Sequence, residues 1–137
     1  MFRALIPVAI EENIRVAIVT FSGQVDLIRT VLDDIMNSSQ NSGNTHKSTE
    51  SLIPIRGGHP RHWEYSGEGS REGKQAHIAS AVEELEHLQG IQIRRETTLL
   101  IDDDIRNIRK ALQSGTRAVW LNPKKSSRLL KDIVKLV

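Results

Sequence analysis

Residues 97–122 read TTLLIDDDIRNIRKALQSGTRAVWLN, and the fold is largely decided there. The opening run, TTLLID (97–102), is compact and apolar with flanking threonines, as suits a strand covered on both faces. IRNIRKALQSG then sets Ile105, Ile108, Ala111 and Leu112 on one helical stripe and closes on Gly115. RAVWLN (117–122) reads as a strand again. Three aspartates, Asp102, Asp103 and Asp104, stand between the first strand and the helix. Adjacent carboxylates repel one another, so folding alone gives little reason to place them there. One of them, Asp103 or Asp104, is well placed to cap the helix, which accounts for one carboxylate and leaves two.

The same rhythm continues in both directions. RVAIVT (15–20) is a further strand, and QVDLIRTVLDDIM (24–36) places Val25, Ile28, Val31, Leu32 and Ile35 on one stripe. KQAHIASAVEELEHLQG (74–90) does the same with Ile78, Val82, Leu85 and Leu88, and Gly90 sits where a C-terminal cap belongs. A helix is expected over about residues 3–12. Another is expected in SSRLLKDIVKLV (126–137) behind a serine cap, and a short strand in LIPIRGG (52–58). Strands alternating with helices imply one α/β domain over residues 1–137, a sandwich with a mainly parallel sheet. Residues 37–51, NSSQNSGNTHKSTES, are small, polar and turn-forming, and are expected to be a mobile loop. Residues 52–73 form an irregular insert ending in the glycine-punctuated HPRHWEYSGEGSREG.

Composition narrows the functional classes. The chain has 137 residues, 38% hydrophobic and 26% charged, which is ordinary for a soluble globular domain. No apolar run approaches the length of a membrane span, and the opening MFRALIPVAIEENIRVAIV lacks the basic-then-apolar order of a secretion signal. The absence of cysteine excludes disulfide and thiolate chemistry and makes the reducing cytoplasm the expected compartment. A net charge of +2 with scattered basic residues does not point to nucleic acid, and NPKKSSR (122–128) reads as a solvated loop.

In parallel α/β sheets, ligands gather at the carboxyl ends of the strands. Thr20 and Ser22 fall at one such end, Asp102 and Asp103 at another, and Lys74 precedes a helix after the glycine-rich loop. A hydroxyl, an ammonium and a carboxylate pair at one rim suit a metal-bound phosphate, with Mg²⁺ as the hard cation. Taken singly, each residue has an ordinary structural reading, and their order along the chain is what raises the set. A nucleotide-binding P-loop fits GEGSREGKQ poorly, because Glu68 stands where glycine is needed and Gln75 where a hydroxyl should hold the metal. His59 and His62 lack a third ligand at fixed spacing, and His77 and His87 read as structural or solvated.

VAIVTFS, GKQAHI and TLLIDDDIRNIRKALQSGTRAVWL resemble three of the four motifs of the haloacid dehalogenase-like (HAD) phosphohydrolases, closest to the magnesium-dependent phosphatase-like members. The resemblance covers roughly residues 15–24 and 74–122. It implies a Rossmann-like three-layer sandwich in which Thr20 holds a phosphoryl oxygen beside Ser22. Lys74 would neutralise nucleophile and phosphate, Asp102 would bind Mg²⁺, and Asp103 would act through water. Arg106 and Asn107 would brace the acidic loop. The family's opening strand, the central one of its sheet, ends in Asp-x-Asp, whose first aspartate attacks phosphorus. Here the first aspartate is Asp26, inside an expected helix. The resemblance therefore implies either a strand lying upstream of Met1 or a variant without it, and predicts no significant hydrolysis by this chain. The alternative is a non-catalytic pseudo-phosphatase that binds a partner, or a second copy of itself, through an open strand edge. The substrate would be an unidentified phosphate ester. Without a large cap domain, the site suits a bulky one.

Overall fold

The computed structural model describes residues 2–39, 53–58, 72–122 and 124. The elements run in chain order: α1 (Phe2–Glu11), β1 (Ile18–Val19), α2 (Val25–Ser39), β2 (Ile55–Arg56) and α3 (Gln75–Gln89). A 3₁₀ turn over Arg95–Thr97 then leads to β3 (Leu99–Asp102), α4 (Ile105–Gln113) and β4 (Arg117–Trp120). The chain is thus mixed α/β, and its four strands form two separate parallel pairs. In one, Ile18 faces Ile55 and Val19 faces Arg56. In the other, Leu99 to Asp102 run in register with Arg117 to Trp120. Among the described residues, no ladder joins the two pairs.

The first pair is covered on both faces. Alternation along β2 sends Ile55 one way and Arg56 the other. Ile55 joins Ile6, Leu32, Met36 and Ile53 in the core cluster, with Ile10, Val16, Ile18, Val25 and Ile28 packed around it. Each fully buried aliphatic side chain there contributes about 1.5–3 kcal/mol of transfer free energy. On the opposite face Arg56 donates from Nε to Ser80 Oγ at 2.7 Å and pairs with Glu84, both on α3. The second pair packs against α4. Leu100, Ile108, Ala111 and Val119 are buried there, while Leu99 and Ile101 on the alternate face of β3 stay half-buried.

The structure departs from the sequence expectations in four places. Helix α2 continues to Ser39, so residues 37–39 of the expected polar loop are helical. Val31, Leu88, Ile105 and Leu112, assigned above to buried stripes, are exposed. α3 buries Gln75, Ala76, His77, Ser80, Ala81 and Leu85 instead of its most apolar row. Small side chains at 76, 80 and 81 let this helix lie close to β1 and β2, so the buried face is chosen by fit as well as by hydropathy. The sheet is also divided into two pairs instead of being continuous. Gly90 ends α3 in the left-handed conformation, as its position predicts. Residues 40–51 of the expected polar loop, Leu52, residues 59–71 that include His59 and His62, and the helix expected over 126–137 lie outside the described residues.

Candidate functional site

β1 runs directly into α2 and β3 into α4, so both helices begin at the carboxyl-terminal edge of their strands. α3 begins at that edge too, because His77 Nε2 lies 2.9 Å from the carbonyl oxygen of Gly58, just past β2. Three helix N-termini therefore share one edge, and each carries unsatisfied N–H groups and a partial positive charge.

Lys74, immediately before α3, places Nζ 2.8 Å from Asp102 Oδ2 at the end of β3. The pair is well shielded, with the Asp102 side chain 1% exposed and that of Lys74 15%. Asp102 is also held from its own side. Its Oδ1 accepts the Asp104 backbone N–H at 2.8 Å, and Asn107 Nδ2 donates to both carboxylate oxygens at 3.2 and 3.3 Å. Full engagement of this kind is what a buried carboxylate requires.

The other two aspartates take different parts. Asp103 is exposed, and its backbone carbonyl accepts the Trp120 indole N–H at 2.9 Å, tying the acidic turn to β4. Asp104 caps α4, its Oδ1 accepting the Arg106 N–H at 2.8 Å while the Arg106 guanidinium grips both oxygens. Those bonds hold the Asp104 carboxyl down at about 2 and raise the pKa of Arg106. Of the two expected caps, the structure selects Asp104. Arg106 acts on Asp104, and Asn107 on Asp102.

At the β1 end, Thr20 Oγ1 accepts the Ser22 N–H and Ser22 Oγ accepts the Gln24 N–H, two successive hydroxyl turns that lead into α2. Gly57 presses against this loop. A Cβ added there would stand 2.7 Å from the Ser22 carbonyl oxygen and 2.5 Å from Val25 Cγ2. Phe21, between the two hydroxyl residues, packs edge-on against His77 with centroids 5.0 Å apart, and Lys74 Nζ lies 6.0 Å from its ring. The 20–22 loop and the Lys74–Asp102 pair are thereby brought to one edge.

Phe21, Gly57 and Gly73 escaped the sequence reading, and His77, left there as structural or solvated, is structural. His77 is fully buried, and the available signal was its place one turn into a helix whose buried row is otherwise small or polar. Gly73, at φ +57°, packs flat against Asn107 and Lys110.

A resident Mg²⁺ does not fit this arrangement. Both Asp102 oxygens are occupied by N–H donors, so a cation there would have to displace Lys74. No group of three or more acidic or histidine side chains suited to a metal exists among the described residues. No helix among those residues is long and apolar enough to cross a membrane.

Comparison with protein-family models, with curated proteins and with solved structures finds no match.

Proposed function

We propose that this chain carries the phosphate-binding part of a HAD-like phosphohydrolase site and does not itself hydrolyse phosphate esters. The reading is supported above all by the Lys74–Asp102 pair, which lies at the edge where β1 and β3 end and α2, α3 and α4 begin. An ammonium has three N–H donors, and Asp102 takes one of them. Among the described residues no other acid pairs with Lys74, which leaves the remaining donors for phosphate oxygens. Thr20 and Ser22 accept from backbone N–H groups, and among the described residues no acceptor is seen for their hydroxyl protons, which can point at the same anion. The three helix N-termini add N–H donors to an electropositive rim.

Hydrolysis needs a nucleophile, and the described residues of this edge do not offer one. Asp102 is locked, Asp104 is engaged by Arg106, Asp103 faces solvent beside Trp120, and a threonine, Thr20, follows β1. Under this reading, the two strand pairs are the flanks of a three-layer sandwich whose centre is open. Two features agree with that. Among the described residues the pairs share no ladder, and Ile78, Ala79 and Val82 of α3 line a cleft of about 230 Å³ with Ile93, Thr98 and Thr116. The same cleft favours a second reading, a partner-binding module whose open strand edges accept another chain or a second copy.

Titration calorimetry with inorganic phosphate at about 0.15 M salt tests the first reading. The expected dissociation constant is about 1 mM, weakened roughly tenfold by Lys74→Gln. Assays with p-nitrophenyl phosphate and Mg²⁺ are expected to show no turnover. Robust hydrolysis would remove the claim of inactivity, and phosphate affinity indifferent to Lys74→Gln would remove the site.

A further inference from the structure

A groove of about 320 Å³ runs beside the Lys74–Asp102 pair, between the turn at Glu72–Gly73 and the exposed side of α4. Its charged lining is Arg106, Arg109 and Lys110 against the single acid Glu72. Gly73 forms one wall, and only glycine fits there. The φ of +57° is left-handed, and an added Cβ would meet Asn107 Oδ1 at 3.2 Å. Asn107 is the partition between the two sites. Its Oδ1 faces Gly73 and the groove, and its Nδ2 donates to Asp102.

We propose that this groove takes the second anionic group of a small substrate whose first phosphate lies at Lys74, so that the ligand class is a bisphosphate or a phosphate ester bearing another acid. The proposal rests on the phosphate-binding reading above. Arg109 is the principal cation, since among the described residues no ion pair engages it, whereas Arg106 is held by Asp104 and Lys110 by Glu72. The Glu72 side chain is mostly exposed, so an incoming phosphate can displace it from Lys110 at little cost. Arginine's planar fork matches phosphate in a bidentate way, and Arg106 and Arg109 together set the spacing that a second group must meet.

Calorimetry with inorganic phosphate and with methylene-, propylene- and pentylene-bisphosphonate, at about 0.15 M salt, tests this. At least one bisphosphonate is expected to bind roughly tenfold more tightly than phosphate. Arg109→Ala should cancel that gain and leave phosphate binding unchanged, while Lys74→Gln, or the exposed Ser22→Ala, weakens both ligands. Bisphosphonates no tighter than phosphate, or a gain that survives Arg109→Ala, would overturn the groove while leaving the phosphate site standing. Binding that depends on Arg109 but ignores both Lys74→Gln and Ser22→Ala would overturn the shared-substrate proposal and the phosphate reading together. A circular-dichroism melt of each variant confirms that the comparison is made on folded protein.

Discussion

The two strand pairs solve the same problem unequally. β1 and β2 pair over only two residues each, yet they are covered by the α1–α2 core on one face and by α3 on the other. β3 and β4 pair over four residues with a full register, but among the described residues α4 is the one helix that packs broadly on both. Parallel strands are stable when both faces are covered, because neither face carries the polar residues that water would satisfy. The shorter pair therefore has the better burial, and the longer pair has the better ladder. Chemistry collects where they meet: Lys74, at the start of the helix that covers the first pair, is ion-paired to Asp102, the last residue of the second.

Breaking that junction should have the largest effect. Lys74→Ala leaves a carboxylate 1% exposed with no counter-ion, and Asp102→Ala leaves the mirror problem for a mostly shielded ammonium. Either is expected to cost about 3–5 kcal/mol in equilibrium denaturation. Lys74→Met with Asp102→Leu should recover a good part of that loss, since the penalty comes from a stranded charge. Single variants losing less than about 1 kcal/mol would mean that the two halves are held together elsewhere. A double variant no better than the singles would point to Asn107 and the Asp104 N–H as the groups left stranded.

A second test strikes the better-covered half alone. Gly57→Ala puts a methyl group 2.7 Å from the Ser22 carbonyl and 2.5 Å from Val25, so the loop from Thr20 to Gln24 must move. The expected cost is about 1–3 kcal/mol. Because that loop carries Thr20 and Ser22, phosphate affinity should fall in the same protein. A loss of stability with phosphate binding intact would separate the loop from the site.

Much of this arrangement was legible in the sequence where local chemistry decided it. The β3–α4–β4 run is a dense periodic segment with an aspartate cap, and its elements lie where the pattern placed them. The siting of Lys74 and Asp102 at strand carboxyl edges was read from strand order, but their direct ion pair was not, since Asp102 was assigned to Mg²⁺ and Lys74 to phosphate. What escaped was decided by contact. The buried face of α3 was misassigned because Ala76, Ser80 and Ala81 are selected for closeness, while Ile78 and Val82 line an open cleft that periodicity cannot see. Hydropathy read Ile105 and Leu112 as core, but α4 buries only Asn107, Ile108 and Ala111. Asn107 was expected, through the family resemblance, to brace the acidic loop, but its burial and its choice of Asp102 were not legible. Its part in holding Asp102 depends on a five-residue separation that a helix start brings into hydrogen-bond range.

The smallest expected effect separates the three aspartates from one another. Asp104 titrates at about 2 because the Arg106 guanidinium and backbone N–H bond to its ionised form, against roughly 3.9 for an unstructured aspartate. A carboxyl whose folded value is depressed adds stability that is fully present above the unfolded value and is lost as pH falls through the folded one. The contribution should therefore be constant at neutral pH and disappear between about pH 4 and pH 2. Asp104→Asn keeps an oxygen to cap α4 but removes the charge. Melting temperatures of wild type and variant should differ slightly at pH 7 and converge as the pH approaches 2, with the difference reduced by salt because Arg106 is 85% exposed. The absence of a gap at every pH in that range would show that the cap, which asparagine keeps, and not the ion pair, is what Asp104 supplies. The acidic turn would then hold a single electrostatically significant carboxylate, Asp102, and the junction between the two strand pairs would rest on that residue alone.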